Sequence, residues 1–484
     1  MGWGVFFFLS FLLVFPVWMR GGTRPELLGP VLWLSLGAVL AMLAYPGLRQ
    51  GETLARARMR VVHDFFSDPV LYAGVAFLFL LWLQWLNGPR PMVFDEELQK
   101  WVFGPAPKAG LPLFCIDRDE AFEMLLWFVP LYAIVLVIRN GFARTQKMEL
   151  LRLLVANAGL VAVFGVVQFL SGSHRIYGVT PLKVHFFAAF GYQNHAGAYF
   201  VLSGVLTAGL LLRSFLKKDE REERLWLICG LAVIVMAGLF CKSRTAIGMI
   251  AVLSAAGVLY GFKRLKARFS LQGRAGVLVC LALFLGVAVY AFWVVPGNLV
   301  REELERTTTE EVALRVGIEE APARAAAWRI WQDHPWFGTG GWGFRRFLPL
   351  YMPPPAGSAY SPGAANVHMD PLQFLTEFGA VGAGILLGTV LLMVWPIREK
   401  LAEFRKPDSQ DRPWLMRVPP LGLALVAGPL LTVIHSMFDL PFRSPAIFWM
   451  WAALLACAPA CWEGNHGSRR KIDWVTELGN ADSD

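Results

Sequence analysis

Long apolar runs recur along the whole chain, and their length is the constraint that any fold must satisfy. Stretches such as 150–171, 225–241 and 418–438 hold roughly twenty residues each with almost no charge, between clusters of Lys and Arg. A helix of that length crosses the hydrocarbon of a bilayer, since each residue rises about 1.5 Å and the hydrocarbon is about 30 Å thick. Twelve such helices are predicted, approximately at 3–19, 27–48, 68–88, 120–138, 150–171, 196–216, 225–241, 246–262, 275–295, 372–395, 418–438 and 445–462. The chain is 56% hydrophobic and only 17% charged, whereas charged residues reach about a quarter of a soluble domain. A soluble globular protein is excluded, and 36 Phe and 19 Trp exclude disorder. The expected fold class is all-α: a polytopic membrane protein of about twelve transmembrane helices, with one large loop between spans nine and ten.

Lys and Arg number 45 against 36 Asp and Glu, for a net charge of +9. In a chain of this class such an excess marks cytoplasmic loops and implies no nucleic acid. With the N-terminus inside, the segments 49–67, 139–152, 213–224, 263–274, 396–417 and the tail hold 27 Lys and Arg. The short segments on the other side hold 11, and the long stretch 296–371 holds seven. Both termini are therefore expected to be cytoplasmic. The first 18 residues lack a basic leader and a small-residue cleavage site, and read as a retained helix. The expected divisions are 1–171 (spans one to five), 172–295 (spans six to nine), 296–371 (the large outer loop), 372–462 (spans ten to twelve) and 463–484 (the cytoplasmic tail). Five of the six cysteines lie in or beside apolar runs and only Cys115 sits in a polar loop, so neither a disulfide framework nor a zinc site is implied.

Nearly every other polar feature falls on the outer side. Arg324, Trp328 and Trp331 are spaced to share one helix face, and an arginine beside indoles suits an anionic, membrane-anchored group. An ordinary amphipathic helix is an equally weighted reading. That helix is expected to stop at His334-Pro335. The following Gly338-Thr339-Gly340-Gly341-Trp342-Gly343 formally contains a dinucleotide fingerprint, but it follows a helix and not a strand. A tight turn that brings backbone close to another segment is the better reading. His368 lies at the entrance of the tenth span, where an imidazole can act as a base without a metal, oriented by Asp370 or Glu377. A helix cap is the plainer role. Lys242 and Arg244 occupy a short turn at the same boundary, where buried charge needs a partner. Asn194 and His195 could cap the sixth span or bind a sugar, and His435 and Asp439 close the eleventh.

The order of these motifs resembles the O-antigen ligase and polymerase superfamily of bacterial envelope glycan enzymes. The resemblance rests on Asn194-His195, Ser243-Arg244-Thr245, Arg324-x-x-x-Trp328, His334-Pro335-Trp336-Phe337-Gly338-Thr339-Gly340, the run from His368 to Gly379, and His435 to Pro441. It covers roughly residues 180–460. The resemblance implies transfer of a glycan from an undecaprenyl-diphosphate carrier to an acceptor hydroxyl, at the periplasmic face of the inner membrane, with no cofactor or metal. The acceptor class spans lipid A core, a growing glycan chain and protein, so ligase, polymerase and protein O-oligosaccharyltransferase stay open. His368 would take the acceptor proton, and Arg244 and Arg324 would hold the diphosphate. Asn194 and Trp328 would contribute to substrate binding, while Asp370, Glu377, His435 and Asp439 would support the site. A transporter or flippase for lipid-linked sugars is the competing class, and a non-catalytic scaffold a third. Against transport, no internal repeat is visible and the charges sit at one boundary, not at the bilayer midplane.

Overall fold

The computed structural model describes residues 3–49, 51–90, 92–97, 100–104, 112–173, 175–178, 180–181, 186–216, 221–266, 322–352, 365–405 and 417–462. These are overwhelmingly helical: α1 (Trp3–Trp18), α2 (Leu28–Ala44), α3 (Leu54–Ser67), α4 (Pro69–Leu86), α5 (Arg118–Leu136), α6 (Arg144–Leu170), α7 (Gln193–Phe215), α8 (Arg221–Phe240), α9 (Arg244–Lys266), α10 (Pro322–Asp333), α11 (Gly343–Tyr351), α12 (Asp370–Arg405), α13 (Pro420–Ser436) and α14 (Pro445–Cys461). Two short antiparallel hairpins, Met92–Asp95 with Lys100–Phe103 and Arg175–Ile176 with Thr180–Pro181, are the strands among the described residues.

Eight helical segments among the described residues are long and apolar enough to cross a membrane. Three shorter apolar helices, α1, α13 and α14, accompany them. The chain is a multi-pass membrane protein. Eleven of the twelve predicted spans coincide with these helices. The predicted ninth span at 275–295 lies outside the described residues, as do the charged run 301–320, the proline-rich segment 353–364 and the tail.

The bundle is organised around α14. This helix is apolar all round, so it is stable only where every face is covered. It is buried nearly throughout and packs on α1, α5, α12 and α13. Its Trp449 indole donates to the Trp127 carbonyl of α5 at 3.0 Å. By contrast α2 and α4 leave Trp33, Leu40, Tyr72, Val75 and Phe79 exposed, the pattern of helices that face lipid. The segment read as a plain basic loop at 49–67 contains α3, which is amphipathic. Its Ala57, Val61 and Phe65, one turn apart, are buried, and Thr53 caps its first turn by accepting from the Arg56 N–H.

A break in α12 positions the region of interest. Gly379 has φ 65° and ψ −175°, a conformation open essentially to glycine alone. The break removes a turn of helical hydrogen bonds, and the segment 335–340 replaces them. Thr339 and Gly340 donate to the Thr376 and Glu377 carbonyls at 3.0 and 2.9 Å, while Ala380 and Val381 donate to the Pro335 and Trp336 carbonyls at 2.8 and 3.0 Å. The two backbones meet so closely that a Cβ on Gly379 would lie 2.3 Å from the Trp336 carbonyl carbon, and one on Gly338 2.5 Å from that of Glu377. The glycine-rich segment is thus a splice onto α12.

Candidate active site

His368 precedes α12 by two residues and holds a left-handed backbone, φ 53°. That conformation costs about 1–3 kcal/mol in a non-glycine residue and persists only where its surroundings enforce it. It leaves the imidazole 55% exposed, with Nδ1 3.6 Å from Oδ1 of Asp439. Asp439 is itself buried in the turn after α13. Its carboxylate accepts from the Leu440 N–H at 2.9 Å, from the Tyr192 hydroxyl at 3.2 Å and from the Asn194 side-chain amide. Burial alone would raise the carboxyl, but the neighbouring imidazoles, His368 foremost, outweigh it and hold Asp439 below the ordinary aspartate value.

Asn194 does not cap α7. Tyr192 occupies the cap position without a capping side-chain bond, and Asn194, inside the first turn, reaches across to Asp439. His195 faces the Leu440 carbonyl, with Nε2 at 3.0 Å. His435 is buried one turn before Asp439, whose N–H donates to the His435 carbonyl at 3.1 Å. Three separate parts of the sequence, at 192–195, 368 and 435–440, therefore meet at one place.

Arg324 also arrives there, but not as a surface charge. It is 3% exposed, and its Nη2 donates to the carbonyls of His368 at 3.1 Å and Met437 at 3.4 Å. Trp328 stays exposed and packs on Trp331 with ring centroids 4.7 Å apart. The arginine is thus turned inward while the Trp328 indole remains at the surface and the half-buried Trp331 donates to the Pro335 carbonyl at 3.2 Å. Arg244 opens α9 directly after the buried Ser243, whose hydroxyl accepts from the Ala246 N–H. A Cβ on Gly197 would meet Ser243 and Ala246 within 3 Å, so the first turn of α9 lies against the turn of α7 that carries Asn194. Lys242 sits over the Phe169 ring at 5.8 Å.

Asp370 and Glu377 face away from the imidazole. Both are fully buried and both approach Arg443: Nη2 lies 2.9 Å from Glu377 Oε2, and Nε 3.6 Å from Asp370 Oδ1. Asp439, not either of these, faces His368. Beyond Arg443, the Trp342 indole is held between the guanidinium groups of Arg443 (4.6 Å) and Arg345 (3.8 Å). Arg346 reaches Asp117 and Glu120 at 3.0 and 3.1 Å, tying α11 to the start of α5. Burial pushes the nearby Cys115 thiol up to about 12, which leaves it unreactive.

Residues 229–387 match the family described as O-antigen ligase. This segment is an O-antigen ligase domain. It carries Arg244, Arg324, Trp328, His368, Asp370 and Glu377, whereas Asn194, His435 and Asp439 approach the same site from outside it. The match spans about a third of the chain and indicates an enzyme of glycosyltransferase type. No curated protein matches the chain. Among the described residues no group of His, Cys, Asp and Glu has the geometry to hold a metal ion.

Sequence reasoning passed over Tyr192, Trp342 and Arg443. Tyr192 stands two residues before Asn194, beside the Asn194-His195 pair that carries the sequence signal. Arg443 stands two residues past the quoted His435–Pro441 run, and an arginine inside an otherwise apolar boundary was the signal that would have found it.

Proposed function

We propose that this protein transfers a glycan from an undecaprenyl-diphosphate carrier to an acceptor hydroxyl, in the manner of an O-antigen ligase. The observation that carries the reading is an exposed imidazole, His368, which lies in the segment matched to O-antigen ligase and is backed by a buried carboxylate, Asp439, from outside it. In this reading both termini are cytoplasmic and the site faces the periplasm across the bacterial inner membrane. The divisions at 171, 295, 371 and 462 are kept as part of it.

His368 Nε2 takes the proton from the acceptor hydroxyl as its oxygen attacks the anomeric carbon. The bond from that carbon to the carrier breaks, and its electron pair leaves on the diphosphate. Direct displacement inverts the anomeric centre. The imidazolium formed at His368 is stabilised by Asp439, much as a carboxylate serves the base in other acid–base pairs. Arg244 and Arg324 hold the diphosphate and neutralise the charge that develops on it, Arg324 from a position fixed by the His368 and Met437 carbonyls. Asn194 and Trp328 line the approach of the glycan and lipid, and His435 supports Asp439 from the turn behind it. A diphosphate is already a good leaving group, so the step uses no metal or nucleotide.

The surface glycans of a strain lacking the protein test this reading. Loss of glycan from lipid A core indicates a ligase, shortened chains indicate a polymerase, and loss of protein glycan indicates an oligosaccharyltransferase. Unchanged glycans in all three fractions contradict it.

A further inference from the structure

The His368–Asp439 pairing joins two turns far apart in sequence, and something must hold them in register. Asp370, two residues after His368, accepts from the Phe442 N–H at 2.8 Å, and its other oxygen lies 3.6 Å from Arg443 Nε. On the opposite flank, Val367 donates its N–H to Gln373 Oε1 at 3.2 Å, and the same amide donates to Asn366 Oδ1 at 3.3 Å and to Glu377 Oε1 at 3.0 Å. The remaining oxygen of Glu377 takes Arg443 Nη2 at 2.9 Å. The backbone before His368 and the backbone after it therefore lead, through two different carboxylates, to one guanidinium. That guanidinium belongs to the turn that carries Asp439.

We propose that Arg443 is the positioning residue of the site: by hydrogen-bonding Glu377 directly and setting its charge 3.6 Å from Asp370, beyond hydrogen-bond reach, it fixes the left-handed turn at His368 against Asp439. The planar fork matters because the two carboxylates approach different nitrogens. Trp342 and Phe374 lie under the guanidinium at 4.6 and 4.9 Å and keep it in plane. Both carboxylates are fully buried and Arg443 is 4% exposed, so water does not compete for these contacts. The inference rests on the reading of His368 as the base, but its geometric part does not depend on which reaction that base serves.

The test uses full-length protein in detergent, with Arg443→Lys, Arg443→Met and, as a scale, Asp439→Asn. The first readout is carbethoxylation of His368 by diethyl pyrocarbonate, followed by peptide mass spectrometry. His63, whose side chain is 79% exposed, serves as the internal standard. Arg443→Met is expected to change the His368 to His63 rate ratio at least threefold, in the same direction as Asp439→Asn and to its level, with Arg443→Lys intermediate. The second readout is glycan transfer, where kcat is expected to fall at least tenfold with the donor KM within twofold of wild type. Should Arg443→Met not fold, the lysine variant carries both readouts. An unchanged ratio, or one that moves opposite to Asp439→Asn, overturns the proposal, even if kcat falls. A ratio that follows Asp439→Asn in a protein whose wild type transfers no glycan overturns the functional reading and leaves the positioning role standing.

Discussion

Replacing Asp439 with Asn removes one charge and almost no volume, so it isolates the electrostatic support given to His368. A unit charge pair at 3.6 Å attracts by about 4–5 kcal/mol at an effective dielectric constant of about 20. The His368 side chain is 55% exposed, so water screens much of this; halving it leaves about 2 kcal/mol for the imidazolium that forms during transfer. Each 1.36 kcal/mol is tenfold in rate, and the expected fall in kcat is therefore about 30-fold. Asn also has to turn its amide group toward donors that the carboxylate accepted from, namely the Leu440 N–H, the Tyr192 hydroxyl and the Asn194 amide. That mismatch acts with or without substrate and appears in stability rather than in kcat. The assay is transfer of glycan from lipid-linked donor to acceptor by purified protein, at saturating donor. A kcat within threefold of wild type would refute the reasoning, because no pairing of the two side chains could then matter to the chemistry.

Other outcomes follow from the same geometry. Gly379→Ala is expected to cost at least about 3 kcal/mol, from the strained backbone region and from a Cβ 2.3 Å from the Trp336 carbonyl carbon; a loss under 1 kcal/mol in detergent unfolding would count against the splice. Asp439 sits below its ordinary value when folded, so its contribution is complete above the ordinary aspartate range and is lost as pH falls through the lower folded value. Thermal stability in detergent should therefore drop below about pH 4, and Asp439→Asn should lose part of that slope; identical slopes would contradict the assignment. Arg244→Lys keeps the charge but loses the fork, and kcat/KM for the donor should fall about tenfold. Wild-type activity with Arg244 and Arg324 both replaced by Lys would remove the diphosphate role.

The spans were legible because lipid demands a local feature, twenty apolar residues, that a sequence displays directly. The stop at His334-Pro335 and the tight glycine segment were legible for the same reason: proline and glycine act on their own backbone. What the glycines approach was not, since Gly338 and Gly379 meet from different parts of the chain. Nearness in sequence also misdirected the choice of partner for His368. Asp370 is two residues away, yet the left-handed turn and the start of α12 send its side chain inward to the Phe442 N–H and Arg443. Asp439, reached from the far side of two helices, takes its place. Arg324 followed the same pattern: its helical spacing puts it in line with Trp328 and Trp331, but only the fold supplies the His368 and Met437 carbonyls that draw it inward. The ninth expected span and half of the large loop fall outside the described residues.

In the proposed reaction this protein makes a glycosidic bond and His368 takes the proton. The most direct measurement is transfer by purified protein, reconstituted in liposomes with an undecaprenyl-diphosphate-linked glycan and an acceptor, for wild type and His368→Ala side by side. An inverted glycosidic linkage is expected with wild type and at least a hundredfold loss with His368→Ala, with insertion in the membrane unchanged. Full activity of the alanine variant, or movement of the lipid-linked glycan across the bilayer with no bond formed, would contradict it.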